Sequence, residues 1–572
     1  MMHNSVSRKL RLILILASFL AAHLAPESAH GQTTRDTIAT YSGSGQATTE
    51  PFRVSGPWKV EWESTAKVFF LNGFEAGDPN STYPAQIAGP NAPSTGSSYI
   101  GRGGRYYFKV VSSGGWSLKV FQETSEESAP SKTQGSREAT ESAALEATYV
   151  PSNPEESDFF GRTVEDVGDY NGDGEADILV GTWGKSADDL DAAGKAFLVS
   201  GASETVLRTF TSPNPQEDGF FGSAGAQIGD IDDDGTADFL IGAPYENYGS
   251  ESEAGVAYLI SGRTGKALQT LTSPNPELIG VSGSSVERIG DTNGDGVTDV
   301  LIGAHRESAN GIETAGRAYT VSSDDGLVLH TLTSPNTEKG GLFGRSVSRV
   351  PDIDGDRIPD LLVAAPSEGV SGISEAGRAY LLSGSDGQVI HTLSSPNSEE
   401  GGWFGGSIAG VGDVNDDGME DLLIGAGSES IGKVKDAGRA YLFSGRNGEV
   451  LQTLTSPNPE TDGSFGATVA EGEDVNGDGI PEFAIGAQRE SPGGVRESGR
   501  AYLFSGTSGE VVNSFKSPNA EEEGIFGTSV TILKDGGDTT TSYLAVSAEN
   551  ESVRGIKGVG RVYRLKIRSK SD

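Results

Sequence analysis

DYNGDGEADILVGTW, residues 169–183, sets oxygen-bearing side chains around two glycines and then runs straight into an apolar stretch. The acidic part returns as DIDDDGTAD from Asp230, DTNGDGVTD from Asp291, DIDGDRIPD from Asp352, DVNDDGMED from Asp413 and DVNGDGIPE from Asp474. These starts stand a constant 61 residues apart. One further step lands on Asp535, where KDGGDTTTSY keeps the first Asp and loses the rest. A fixed period of this size marks a repeat architecture, in which each unit buries its apolar face against its neighbours.

Four apolar runs recur in each unit. In the fifth they are FGGSIAGVG (404–412), EDLLIGAG (420–427), GRAYLFSG (438–445) and EVLQTLTSPN (449–458). Each has strand length, is rich in Val, Ile, Leu, Tyr and Phe, and is bounded by Gly, Asp or Pro. No 3.6-residue period is present, which excludes stacked helices. Four short antiparallel strands per unit, repeated radially, predict an all-β fold, a seven-bladed β-propeller. The outer-strand pattern appears early, as LEATYVPSN from Leu145 to Asn153, ahead of the first Phe-Gly strand. The last unit stops after GRVYRLKI, Gly560 to Ile567, with no outer strand behind it. The first segment is therefore expected to complete the last blade and close the ring, removing exposed sheet edges.

The loops suit calcium, a hard cation that takes six to eight oxygens. Side chains at positions 1, 3, 5 and 9 and the main-chain carbonyl at 7 are the expected ligands. In the first loop these are Asp169, Asn171, Asp173, Asp177 and the carbonyl of Glu175; in the second, Asp230, Asp232, Asp234, Asp238 and Thr236. The third has Asp291, Asn293, Asp295, Asp299 and Val297; the fourth, Asp352, Asp354, Asp356, Asp360 and Ile358. The fifth has Asp413, Asn415, Asp417, Asp421 and Met419; the sixth, Asp474, Asn476, Asp478, Glu482 and Ile480. Position 12 of the first loop is Val180, not the bidentate Glu of an EF-hand, and a strand follows, so the ion is expected in a β-hairpin. Ordinary Asp/Gly-rich turns are the competing reading for one loop; six in register favour about six Ca2+ sites. Arg357 stands where the other loops have the turn Gly, and a left-handed backbone there would cost about 1 kcal/mol. Gly537, Thr539 and Tyr543 occupy ligand positions in the seventh unit, which is expected to hold no ion.

The 572 residues carry a formal net charge of −38, a surface that repels nucleic acid. Residues 1–31 read as an export signal: Arg8, Lys9 and Arg11, an apolar run from Leu12 to Ala22, and a small-x-small site at Ala29-His30-Gly31. No later segment reads as a membrane span, so a secreted, periplasmic or cell-surface protein is expected. There is no Cys, which excludes disulfides and thiolate metal sites. Residues 32–122 alternate as strands, as at Trp58, Val60, Trp62 and at Trp116, Leu118, Val120, and read as a small β-sandwich. Residues 123–143 are polar and acidic and read as a linker; the propeller spans 144–567 and a short tail 568–572.

The repeats resemble the FG-GAP family, the unit of the integrin α-subunit propeller. The Phe-Gly pairs are Phe160-Gly161, Phe221-Gly222, Phe343-Gly344, Phe404-Gly405, Phe465-Gly466 and Phe526-Gly527, with Ser282-Gly283 in the third unit. Gly242-Ala243-Pro244 keeps the Gly-Ala-Pro element in full, and Gly303-Ala304-His305 keeps it in part. The resemblance covers about residues 144–567. It implies a seven-bladed propeller with calcium in the loop after the first strand, and it names no ligand. No domain is inserted between the units.

The expected function is adhesion or recognition of an extracellular protein or glycan. A purely structural calcium-stabilised module and a polysaccharide-acting enzyme are the alternatives. Against an enzyme, the expected mature chain has only His305, His330 and His391, with no Ser-His-Asp spacing, and its unit length never varies. Alternation puts the metal loops and the turns between strands three and four on one face. The loops between strands two and three, and between blades, fall on the other. That second face varies most between units, at Trp183, Tyr245, Tyr248, His305, Arg306, Trp403 and Arg489, and is the expected ligand face.

Overall fold

In a computed structural model, the structure describes residues 145–533 and 542–567 and, of residues 36–122, nine strands. The expected export signal, linker and tail, and positions Asp535, Gly537 and Thr539 of the seventh loop, lie outside the described residues. The chain divides into two compact units, Met1–Gly135 and Ser136–Asp572.

The first unit holds two antiparallel sheets. One has the order Asp36–Ser44, Gly115–Gln122, Trp58–Ser64, Thr95–Ile100. The other runs Ala47–Thr48, Gly104–Ser112, Phe69–Glu75, Ala85–Ala88, with Phe52–Val54 also on Gly104–Ser112. Trp116, Leu118 and Val120 are buried on one face of their strand, with Ala39 opposite Val120 and Tyr41 opposite Leu118. This is the one-sided burial that period-two alternation dictates.

The second unit is a propeller of seven four-stranded antiparallel blades. Blade one is Phe160–Asp166, Ile178–Thr182, Lys195–Val199 and Val206–Thr211, in that order across the sheet. The second strand of every blade except the last is buried at every position, because neighbouring blades cover both of its faces. Outer strands bury few residues, such as Phe210 in blade one and Leu454 in blade five. Each core cluster therefore joins two adjacent blades: Leu362, Leu381 and Leu393 of blade four pack with Phe404, Ile424 and Tyr441 of blade five.

The ring closes as its ends require. Leu145–Tyr149 is the outer strand of blade seven, with Ala147 opposite Arg564, Thr148 opposite Tyr563 and Tyr149 opposite Val562. Arg564 is buried where the corresponding third-strand residue is Leu in five blades and Thr320 in another. Its guanidinium donates to Glu175 Oε2 and to the carbonyl of Gly201 in blade one (3.2 Å for the second), and lies 3.8 Å over the Tyr543 ring. Tyr543 stands at position 9 of the seventh unit, where the six acidic loops carry Asp or Glu.

A buried tie repeats between blades. The Tyr of the third strand donates its hydroxyl to a Glu beyond the second strand: Tyr258 to Glu246 and Tyr380 to Glu368 at 2.5 Å, and likewise Tyr319 to Glu307, Tyr441 to Glu429, Tyr502 to Glu490 and Tyr563 to Glu551. The same Tyr hydroxyl meets the Ser of the preceding blade's Ser-Pro-Asn turn, as with Ser395 and Tyr441 at 3.0 Å. Burial pushes Glu429 up to about 7, with Tyr441 and Ser395 bonds opposing. Blade one inverts the tie. Phe197 replaces the Tyr, Pro151 the Ser and Lys185 the Glu. Lys185 Nζ pairs with Asp158 at 3.2 Å and Glu155 at 2.8 Å, and donates to the carbonyl of Asn153.

Two outcomes are expected. Deletion through Val150 removes the closing strand and buried Tyr149, whereas deletion through residue 143 spares both. Chemical denaturation should show the longer deletion to be less stable by about 3 kcal/mol or more; equal stability would refute strand sharing. For Glu429 the folded pKa lies above the ordinary 4.5. Its contribution is therefore full below that pH and fades as pH rises through about 7. With calcium saturating, Glu429→Gln should narrow the gap between melting temperatures at pH 5 and pH 8.

Candidate functional site

Each acidic loop is a hairpin between the first and second strands of its blade. The position-1 carboxylate caps the turn. Asp230 accepts from the N–H groups of Asp234 (3.0 Å) and Gly235 (2.7 Å), and Asp352 from those of Asp356 (3.1 Å) and Arg357 (2.7 Å). Position 3 accepts from the same position-5 N–H, as Asp354 does from Asp356 at 3.1 Å. Position 5 accepts from position 7, as Asp417 does from Met419 at 3.0 Å. A carboxylate oxygen has two lone pairs, so these turns hold the acids in place and leave acceptor capacity over.

Position 9 begins the second strand and is fully buried in all six loops: Asp177, Asp238, Asp299, Asp360, Asp421 and Glu482. Asp238 accepts from Ile231 N–H at 2.8 Å and from Gly262 N–H, in the turn between strands three and four, at 2.9 Å. This bond places both hairpin ends on one face. Where Asn stands at position 3 its amide ties the same positions, as Asn415 to Asp421 at 3.1 Å. Burial pushes Asp421 up to about 7, and the Asp417 and Asp413 carboxylates add to the rise. Glu482 is raised to about 7 and Asp360 to about 6, burial again being the main cause.

The loops thus gather carboxylates whose charged forms burial and mutual repulsion disfavour. Asp230, Asp232 and Asp238 can bring oxygens within 4.8 Å of one another, as can Asp352, Asp354 and Asp356. Between them these two groups span positions 1, 3, 5 and 9. All-oxygen donors on a hairpin fit a hard divalent cation, which offsets both desolvation and repulsion. Sequence reasoning missed two guanidiniums from the turns between strands three and four. Arg263 pairs with Asp234 at 3.2 Å and Arg446 with Asp417 at 3.3 Å, each at position 5.

Arg357 has φ 75°, against 84–96° for the five glycines at the same position. The backbone at Arg357 is therefore left-handed. Arg357→Gly should relieve about 1 kcal/mol of strain, offset in part by glycine's greater unfolded-state freedom. A net gain of about 0.5 kcal/mol in denaturant melts is expected; a loss would show that the arginine side chain contributes more than its backbone costs.

The other face holds the variable loops. Trp183 stacks on Phe159 (centroids 5.1 Å apart) and meets Phe220 edge-on at 4.6 Å; Phe220 in turn meets Tyr245 at 5.1 Å. Tyr248, Arg306, Trp403 and Arg489 are exposed. His305 is not presented to solvent. Its ring is buried, bonded through Nδ1 to Ser284 Oγ at 2.7 Å, and burial, then Arg345 and Arg306, push it down to about 3. A cavity of about 620 Å³ occupies the channel mouth on this side and gathers Trp403 and Arg489 with Arg162 and Arg345. The last two went unremarked in the sequence. Arg162 lies in the inner strand of blade one and Arg345 just before that of blade four, where the other units carry Ser, Gly, Ala or Thr. The channel end toward the acidic loops holds about 410 Å³ and is acidic, with Glu165, Glu287, Glu471 and Glu473.

The FG-GAP repeat model matches residues 221–260, 343–382, 404–443 and 465–504, each running from the first of the Phe-Gly pair to the end of a third strand. The chain is similar to integrin alpha-5 of Xenopus laevis, 27% identical over 235 residues, or 38% of this chain and 21% of that protein. It is similar to human integrin alpha-IIb at 31% over 277 residues, 44% of this chain and 25% of the other. Human integrin alpha-11 is 32% identical over 177 residues, 30% of this chain and 14% of the other. The chain thus spans a quarter or less of the length of these relatives.

Proposed function

Starting from a chain that carries FG-GAP repeats in an integrin α-like propeller, we propose that it is an exported recognition protein. Calcium in the hairpin loops stiffens one face of the ring, and the opposite face takes an extracellular protein or glycan. The reading rests on the separation of two chemistries: carboxylate loops on one side, aromatics and arginines around a cavity on the other. Positions 1, 3, 5 and 9 of the six loops would hold the ions, with the position-7 carbonyls. Calcium's part is to neutralise the buried acids and fix each hairpin. The ligand is held by the other face and meets no metal.

Metal analysis should find about six calcium ions per chain, the loop at Asp535 taking none. Ligand that binds only the folded ring stabilises it by about 2.7 kcal/mol per site at a hundredfold excess over Kd, so chelation should lower the melting temperature clearly. One or two ions with no response to chelator would defeat the metal reading. For the ligand face, a binding array of extracellular proteins and glycans identifies partners. The double variant Tyr245→Ala, Trp403→Ala should abolish capture while calcium content stays unchanged. Capture that survives this variant but is lost in a folded Asp232→Asn protein would move the ligand to the metal face.

A further inference from the structure

We propose that the channel mouth opposite the metal loops is a binding site for an anionic saccharide, one bearing carboxylate or sulfate groups. The inference rests on the reading of this face as the ligand face and names the ligand's chemistry.

The first observation is charge. With 81 acidic and 43 basic residues, carboxylates outnumber cations nearly two to one. At this cavity the order reverses: Arg162, Arg345 and Arg489 line it together. Among the described residues, Arg345 has neither a carboxylate nor a hydrogen-bonding partner for its guanidinium. Burial, then Arg162, push it below its usual value, and Arg306 acts in the same sense. The acids nearby do not answer it. Glu549 lies 3.9 Å from Arg162. Glu165 sits deeper in the channel, where burial raises its carboxyl well above the usual range and favours the neutral acid. Arg345, half-buried beside Arg162 and without a counter-charge of its own, is costly unless an anion joins it.

The second observation is the rest of the lining. It is hydroxyl-rich, and Ser223 Oγ is buried there without a partner. Trp403 stands at the rim 37% exposed, held by a left-handed backbone with φ 55°. Guanidiniums for acid groups, hydroxyls for hydroxyls and one open aromatic face suit a polyhydroxylated anion. A protein segment would instead want an apolar centre for its anchors, which this cavity does not offer. Its volume of about 620 Å³ suits a short oligosaccharide rather than a folded surface.

The test is calorimetric titration of the full chain, with calcium present, against four probes. These are a sulfated oligosaccharide, a uronic-acid oligosaccharide, a neutral oligosaccharide of the same length, and oligoglutamate. At least one anionic saccharide should bind, the two arms separating sulfate from carboxylate, and the neutral probe should not. Affinity should fall with added salt. Arg345→Gln and the exposed Arg489→Gln should each weaken binding tenfold or more with native melting. Lys266→Gln, an exposed cation in the turn between strands three and four of blade two, should leave binding unchanged. No binding by either anionic saccharide, equal binding of the neutral probe, or full affinity in Arg489→Gln overturns the inference. Tighter binding of oligoglutamate assigns the site to an acidic protein segment and also overturns it. If an array partner is lost in the Tyr245, Trp403 double variant but ignores both arginine variants, this inference alone falls and the ligand face stands.

Discussion

The bond from a third-strand tyrosine to a buried glutamate is the joint on which the ring depends. Sheets of adjacent blades touch mainly through aliphatic and aromatic side chains, and such contacts do not dictate an angle. The Ser–Tyr–Glu tie does, because a buried hydroxyl and carboxyl must satisfy each other and can do so in few geometries. In blades three to seven an arginine stands 3.5–3.8 Å from the same glutamate, anchoring it further. Blade one reaches the same end by inverse chemistry. Pro151 cannot donate, Phe197 has no hydroxyl, and Lys185 with Asp158 replaces what both lost. Asp158 takes a place where the other six units have Gly, which is what makes room for the exchange.

With blade angles set, the two ends of the channel are free to differ. In six blades the second strand starts from a position-9 acid on the acidic-loop side and ends at the variable loop on the other. The strand between is buried and stiff, so neither end needs to give way to the other. Carboxylates concentrate at one end and guanidiniums at the other. A ring of nearly identical blades thus presents two chemically opposite mouths, through residues that depart from the repeat at one or two units each.

The sequence made the architecture legible because a strict period carries its own alignment. Blade count, strand order and the shared last blade followed from where Phe-Gly, the acidic loop and Ser-Pro-Asn fall. Positions 1, 3, 5 and 9 of the loops were equally legible, since turn chemistry is local. What escaped was relational. Ser395, Glu429 and Tyr441 lie far apart along the chain and belong to two blades, so no window contains the tie. Arg162 and Arg345 look like ordinary strand residues until the units are aligned and small residues are seen at the matching positions. His305 belongs to a variable loop by sequence, but Ser284 gives its ring a partner beneath the surface.

Near-identical units create a hazard of their own, because every third strand pairs its outer edge with a fourth strand of one pattern, supplied in blade seven by Leu145–Tyr149. A chain that closed one blade early would make a plausible six-membered ring and leave a unit dangling. Arg564 distinguishes the true end. Only in blade seven does the third strand carry a guanidinium able to reach Glu175 and the Gly201 carbonyl of blade one. The equivalent residue in blade six is Leu503, which would leave both acceptors unmet. A buried charge of this kind adds little to the depth of the native well. Its partners lie in blade one, so the bond forms only where blade seven meets blade one.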